Sequence, residues 1–352
     1  MNNERHRQHY EISILRVRIM EQTSSQKPEA DFCGSTDTLL DTIQRTLIPG
    51  TFLFILVVGL LLNVPIIWIL AFRMKRWNRS TIFLCNLVFA DIMWILTLPF
   101  LIYYHLNQLH WTFGKSFCKI IRTTYHLCYY CSIYFVTCLG MDRYLAIVHP
   151  LKSLWVLNKQ HSLLISSSIW AVTGLVSLPV AYVAGIQTCP NNKTICSFYV
   201  FSSSTYITLP LSVSCSVAGC LLPFTAICYC YCSSVRKLQD TGLQRFQKRE
   251  KLTKLMYSAL IIFALLYFPY HVSRNTCIFL RAVRPSATQS IQHADTLFLV
   301  EMAICSLNTC VNPLFCFLAG GDFREEICKL ASSFCIIKHW RNRQQLACVY
   351  PI

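Results

Sequence analysis

The chain has 352 residues, of which 54% are hydrophobic and only 14% charged. So apolar a composition excludes a disordered chain and a set of soluble domains, and fits one membrane domain of several spans. The formal net charge of +16 would suit a nucleic-acid partner, but its distribution excludes one, because the lysines and arginines fall in short segments between apolar stretches.

Residues 1–45 lack an apolar signal-peptide core and are predicted to be a flexible extracellular tail. Seven stretches long enough to cross a bilayer as helices follow, at Thr46–Phe72, Ser80–Leu106, Lys115–Val148, Gln160–Gly185, Ser203–Val235, Lys254–Leu280 and Thr296–Ala319. Pro65, Pro99, Pro179, Pro223, Pro269 and Pro313 lie inside six of them. Lipid tolerates such kinks where neighbouring helices or polar groups satisfy the freed carbonyls. Residues 46–319 are therefore expected to form an all-α membrane protein, a seven-transmembrane helix bundle. Residues 320–352 form a cytoplasmic segment that opens, from Asp322-Phe323-Arg324, with a short amphipathic helix along the inner membrane face.

Charge sets the orientation. Arg73, Lys75, Arg76 and Arg79, then Lys152 and Lys159, then the run from Arg236 to Lys254, and finally Arg324 to Arg343, all lie on one side of a seven-span chain. Basic loops stay in the cytosol, so the N-terminus lies outside and the chain is multi-pass in the plasma membrane. The same charges attract anionic lipid. Asp142-Arg143-Tyr144 then faces the cytosol at the end of the third span. An arginine beside an acid at the lip of a membrane helix is an expensive placement, and it points to a switch.

Most of the twenty cysteines lie inside spans, where they pack as small apolar groups. Cys33, Cys118, Cys189, Cys196 and Cys277 fall outside or at the outer edge, where bridges form. A Cys118–Cys196 bridge would pin the second outer loop over the bundle, and Cys33 is left to join Cys277 or Cys189; the pairing stays open. Asn192-Lys193-Thr194 in that loop is a glycosylation sequon, whereas Asn78-Arg79-Ser80 lies on the cytosolic side and should be unused.

Four basic groups define a candidate ligand site. Arg122 and His126 are four apart, and His271 and Arg274 three apart, so each pair shares a helix face in the outer third of the bundle. Tyr125, Tyr129 and Tyr130 lie beside the first pair. Guanidiniums with imidazoles suit phosphates or carboxylates, and tyrosine rings suit a flat group. The plainer reading is that the arginines snorkel to the headgroups and the histidines pack as satisfied polar groups.

An ordered set of landmarks resembles the rhodopsin-like (class A) G-protein-coupled receptors over about residues 45–335. They are Asn63, then Asn86 to Asp91, Trp111-Thr112-Phe113-Gly114 before Cys118, Asp142-Arg143-Tyr144, Trp170, Pro223 with Tyr231, Phe263 with Pro269, and Asn312-Pro313. Within that family, the segments from His149 to Leu154, Tyr270 to Arg274 and Ser306 to Pro313 resemble the purinergic nucleotide receptors and their succinate and oxoglutarate receptor relatives. Leu98 to Tyr104 fits the same branch.

The resemblance implies a receptor for a small anionic extracellular ligand, most simply a nucleotide, that signals to a heterotrimeric G protein, with arrestin as a further partner. It implies an agonist pocket lined by Arg122, His126, Tyr130, Tyr270, His271 and Arg274. It implies an allosteric sodium site at Asp91, Ser132, Asn308 and Asn312, and a switch in which Arg143 leaves Asp142 to meet Tyr231. Tyr267 stands where most of the family has tryptophan, and Phe263 one turn deeper is its packing switch. Two departures qualify this. The seventh span has Met302 where nucleotide receptors carry a basic residue, with Leu299 and Glu301 beside it, so a dicarboxylate or an anionic lipid mediator is the alternative ligand and Arg281 or Arg284 a substitute charge. Cys316 stands where the family has tyrosine.

Other classes fit poorly. A retinal protein needs a seventh-span lysine, and none occurs between Ile291 and Ala319. A transporter or channel would show internal repeats or broken helices, and no zinc motif, phosphate loop or nucleophile elbow suggests an enzyme.

Overall fold

The computed structural model describes residues 38–74, 77–150, 158–190, 192–202, 204–239 and 243–319, together with Glu326 and Lys329. Seven helices are long and apolar enough to cross a membrane: α1 Leu39–Phe72, α2 Arg79–Leu106, α3 Lys115–Val148, α4 Lys159–Val183, α5 Thr205–Gln239, α6 Thr253–Val283 and α7 Thr288–Cys316. The expected seven-helix bundle is present. The expected N-terminal tail up to residue 37, Cys33, and most of the amphipathic C-terminal segment lie outside the described residues. Glu326 and Lys329 are helical and pair at 2.9 Å.

Two helices begin well before the apolar stretch that announced them. α7 starts at Thr288 rather than Thr296 because Asp295, too polar to place in a span from sequence, is neutralised by Arg281 across the α6–α7 seam at 2.5 Å. α1 starts at Leu39, and its first turns carry an exposed Asp41–Arg45 pair at 2.5 Å.

Three wide π turns, at Ile43–Leu47, Val217–Leu221 and Phe263–Tyr267, each end two residues before a proline: Pro49, Pro223 and Pro269. Proline lacks an N–H and its ring presses on the carbonyl four residues back. That carbonyl, of Arg45, Gly219 or Leu265, lies inside the π turn in every case. The N–H just before the proline bonds five residues back instead: Ile48 to Ile43, Leu222 to Val217 and Phe268 to Phe263. Of the six expected kinks, those at Pro223 and Pro269 take the form of one-turn π bulges that keep backbone groups satisfied, and Pro49 adds an unexpected third.

Buried side-chain amides and rings staple the bundle. Asn63 Nδ2 donates to Gly59 O (2.9 Å) and to Thr309 O (3.0 Å), joining α1 to α7. Trp170 Nε1 donates to Asn86 Oδ1 at 2.9 Å, joining α4 to α2. On α4 the polarity is inverted relative to a water-soluble helix: Ser162, Ser166, Thr173 and Ser177 are buried while Leu163, Leu164, Leu175 and Leu178 are exposed. Small hydroxyl residues inside and leucines outside are what close helix packing in lipid requires.

The outer face carries a hairpin of β1 (Gly185–Thr188) and β2 (Thr194–Ser197), antiparallel with Ile186 opposite Cys196. The Cys118–Cys196 disulfide ties β2 to the start of α3. Trp111 N donates to Thr194 O at 2.7 Å, and Thr194 Oγ1 to Trp111 O at 2.6 Å, holding the hairpin to the first outer loop. Asn192 is exposed at the hairpin tip. Of the two partners left open for Cys33, Cys277 is removed: it is a buried free thiol that donates to Asp295 Oδ1 (2.9 Å) and accepts from Arg281 Nη1 (2.8 Å). Cys189 is disulfide-bonded. Asn78, the asparagine of the sequon expected to be unused, is the N-cap of α2, its Oδ1 accepting from Thr81 N at 2.9 Å.

Breaking one partner of a buried ion pair strands the other charge, at a cost of about 3–5 kcal/mol. Asp295→Ala should therefore lower the thermal midpoint of the detergent-solubilised protein clearly. The double change Arg281→Leu with Asp295→Leu should recover most of the loss; equal damage by single and double variants would contradict the pairing.

Candidate functional site

One face of α3 presents Arg122, Tyr125, His126, Tyr129 and Tyr130, spaced at three and four residues so that they stack along the helix. All five are buried. α6 presents Tyr270, His271 and Arg274 toward them, also buried. α5 brings Ser212, Cys215, Ser216 and, in its π turn, Gly219 onto the third wall.

Arg274 is the centre of this chamber, with 0% of its surface exposed. Its Nη1 donates to Tyr130 Oη at 2.7 Å and its Nε to Ser212 Oγ at 2.9 Å. Its Nη2 donates to Ser212 O, Ser216 Oγ and His271 Nδ1, each at 3.0 Å. Every partner is neutral, and the Tyr270 ring adds a cation–π contact at 5.5 Å. A guanidinium only donates, so His271 Nδ1 is the acceptor and the neutral ring carries its proton on Nε2, which is buried without a partner. His126 Nδ1 meets Ser177 Oγ at 2.8 Å, and Ser177 already donates to Thr173 O at 2.7 Å. The network therefore assigns the His126 proton to Nδ1 and leaves Nε2 facing Cys215 Sγ at 4.0 Å.

Gly219 makes this closeness possible. A Cβ there would lie 2.2 Å from Tyr130 Cε1, so any other residue pushes the Tyr130 ring away from Arg274.

The four basic groups do not form one cluster. His126, His271 and Arg274 gather around Tyr130, with ring centroids 4.7 Å (His126) and 6.0 Å (His271) from it. Arg122 points up instead. Its Nη2 donates to Cys196 O of β2 at 2.7 Å and its Cζ sits 3.5 Å from the Phe198 ring centroid. It lines a separate cleft of about 380 Å³, open mouth included, with Gln44, Tyr104, His105, Phe198 and Leu299. Its Nε is buried and unpartnered. The segment Phe198–Phe201 forms the roof between the two places, with Phe201 against Phe298 at 5.6 Å and under the Arg281 guanidinium at 5.1 Å. Burial also raises the Tyr199 hydroxyl well above its ordinary pKa, so this roof residue is neutral.

Neither Arg122 nor Arg274 pairs with a carboxylate among the described residues. Glu301, beside Met302 on α7, forms no such pair either. Arg281, considered as a substitute ligand charge, is committed to Asp295, while Arg284 is exposed. Ser212, Ser216, Gly219 and Phe198 were not anticipated. The i, i+4 spacing of Ser212 and Ser216 was a readable signal; the roles of Gly219 and Phe198 depend on the bulge and the hairpin.

Deeper, Asn312 Nδ2 donates to Asp91 Oδ1 (2.9 Å), Asp91 Oδ2 (3.0 Å) and Ser132 Oγ (2.8 Å). Asn308 turns away, its Nδ2 donating to Tyr267 Oη at 3.3 Å. Three of the four expected residues are thus hydrogen-bonded together, and Asn308 lines the same cavity as Asp91 and Ser132 while reaching Tyr267. Tyr267 packs edge-on against Tyr129 above (5.6 Å) and Phe263 below (5.0 Å). At the inner end, Arg143 Nη2 lies 3.1 Å from Asp142 Oδ2. Tyr144 Oη lies 3.5 Å from His149 Nε2, and Tyr231 stacks near Tyr257 at 6.1 Å rather than on Arg143. Cys316 is fully buried.

A hydrogen bond to a charged group contributes about 1.5–3 kcal/mol. Tyr130→Phe should cost stability in that range, read as a lower thermal midpoint of the solubilised protein, and Gly219→Val should cost at least as much by displacing the same ring. A Gly219→Val protein as stable as the native chain would contradict the contact.

A sequence profile of the family described as 7 transmembrane receptor (rhodopsin family) matches residues 62–315. Purinoceptor 1 of Mus musculus is 32% identical over 284 residues, covering 80% of this chain and 76% of the relative. Purinoceptor 1 of Homo sapiens matches to the same extent, 32% over 284 residues. Purinoceptor 3 of Gallus gallus is 29% identical over 308 residues, covering 84% of this chain and 92% of the relative. These relatives are receptors and not enzymes, and their level of identity and coverage agrees with the seven spans. The chain belongs to the rhodopsin family of seven-transmembrane, G-protein-coupled receptors of the plasma membrane and is related to the purinoceptors.

Proposed function

We propose that this receptor responds to a small extracellular anion, a nucleotide in the first place, and passes the signal to a heterotrimeric G protein. The observation that carries this reading is Arg274, a guanidinium with 0% exposure and no carboxylate partner among the described residues. An uncompensated charge out of water is costly, and an anion entering the chamber relieves that cost. Arg122, at 4% exposure and with an unsatisfied Nε, offers the same to a second acidic group. His126 and His271 supply hydrogen-bonding edges, and Tyr130 and Tyr270 supply aromatic faces. The relation to the purinoceptors favours a nucleotide over other anions. The apolar Leu299 and Met302 on α7, both buried, are what favours the second reading, a dicarboxylate or an anionic lipid mediator.

In this account the N-terminus is extracellular and the Asp142 end cytosolic, as the basic loops require. Ligand binding biases a two-state bundle. The inner end of α6 moves outward, Arg143 leaves Asp142, and Tyr231 turns to meet it as the G protein docks; arrestin competes for the same face. Asp91, Ser132, Asn308 and Asn312 would hold a sodium ion. The oxygens of Asp91, Ser132 and Asn312 suit a hard cation, and Asn312 Oδ1 is buried without a partner.

A calcium and cyclic-AMP screen against nucleotides, dicarboxylates and lysophospholipids tests the ligand class. A nucleotide should respond, and Arg274→Ala at matched surface expression should abolish the response; a responding anion indifferent to Arg274→Ala would contradict the site. Restoring the tyrosine, Cys316→Tyr, should raise maximal agonist response by supplying a hydroxyl toward Tyr231. An unchanged maximum would remove Cys316 from the switch.

A further inference from the structure

Asp142 is held by more than Arg143. It is buried, and Ser80 Oγ donates to its Oδ2 at 2.7 Å. Arg143 Nη2 stands 3.1 Å from the same oxygen and also contacts Ser80 Oγ. The other oxygen, Oδ1, faces Arg79, whose Nε is 3.2 Å away. Arg79 is the first residue of α2, and its backbone is fixed by the Asn78 cap, which accepts from both Thr81 N and Thr81 Oγ1 at 2.9 Å. Two guanidiniums therefore share one carboxylate, one on each oxygen.

That arrangement has an excess of one positive charge. The two arginines repel each other, and each weakens the other's hold on Asp142. When Arg143 departs, Asp142 keeps the Arg79 charge 3.2 Å from Oδ1, paired with it but not hydrogen-bonded, and a hydroxyl on Oδ2, which reduces the cost of leaving a buried carboxylate without Arg143. We propose that Arg79 is a third charged member of the inner switch, a positioning residue that sets the resting balance by competing with Arg143 for Asp142. This rests on the reading of Asp142 and Arg143 as the switch. Its consequence is specific: Arg79 lowers the barrier to activation, although as a contact between α2 and α3 it would ordinarily be counted as a brake.

The test is agonist-independent GTPγS binding in membranes with matched receptor density, co-expressed with a panel of heterotrimeric G proteins. For a partly exposed pair the expected effect is modest: Arg79→Gln should lower basal binding roughly fivefold. Arg79→Lys should restore it, because the cation is kept. Asp142→Asn should raise basal binding, and adding Arg79→Gln to Asp142→Asn should change nothing further, because Arg79 acts through that carboxylate. A raised or native basal level in Arg79→Gln, beside a raised level in Asp142→Asn, overturns the role of Arg79 and leaves the switch standing. A native level in Asp142→Asn overturns the switch reading itself, and this inference with it.

Discussion

Arg274 carries a permanent charge to a fully buried position with no carboxylate partner among the described residues, and the outer half of the bundle is arranged around that fact. The guanidinium is always protonated, so burial cannot be relieved by losing the charge. Relief comes from Ser212, Ser216, Tyr130 and His271, which surround it at 2.7–3.0 Å. Supplying those partners requires α3, α5 and α6 to approach closely. Ser212 and Ser216, four apart on α5, face inward, and the bare face of Gly219 in the following π turn lets the Tyr130 ring in. Neutral partners satisfy the donors but leave the net charge, which is the basis for proposing the chamber as an anion site. Arg281 shows the contrast: it lies in the same outer layer, but Asp295 cancels it, and it serves to join α6 to α7.

From this chamber a continuous set of contacts leads inward. Tyr129 lies between the Tyr270 and Tyr267 rings, Tyr267 accepts from Asn308, and Asn312 four residues further on caps Asp91. Spatial continuity alone is not coupling. Tyr267 and Asn312 do sit beside two of the helix breaks, at the π turn ending on Tyr267 and at Pro313. The inner lock is likewise shared rather than paired, since Arg79, Ser80 and Arg143 divide one carboxylate.

Much of this was legible in the residues. Seven apolar runs, one-sided basic loops and the Asp142-Arg143-Tyr144 triplet yield the bundle and its ends, because lipid allows so few backbone solutions. The helix-face pairs Arg122 with His126 and His271 with Arg274 are each on one face as the spacing predicts, and three of the four gather around Tyr130. What stayed hidden depends on tertiary geometry. Spacing could not reveal that Arg122 turns up to Cys196 O while Arg274 turns toward α5, since both directions are open to a side chain on that face. Asp295 hid the start of α7, from Thr288 onward, because a charge reads as a span boundary until its partner is known. Pro223 and Pro269 announced their π bulges only as kinks, and Pro49 lay outside the expected kinks. The excess of Cys33 partners was settled by the buried thiol of Cys277, which no spacing rule could decide.

The central claim is that an uncompensated Arg274 makes the chamber an anion site. The most direct measurement is the thermal midpoint of detergent-solubilised receptor titrated with a nucleoside diphosphate, succinate and lysophosphatidate, for the native chain and for Arg274→Gln. A ligand that binds only the folded protein at a hundred times its dissociation constant stabilises by about 2.7 kcal/mol. The account predicts a saturable rise with at least one of these anions in the native chain and none in Arg274→Gln. A rise of equal size in both proteins, or no rise with any of the three anions, would contradict it.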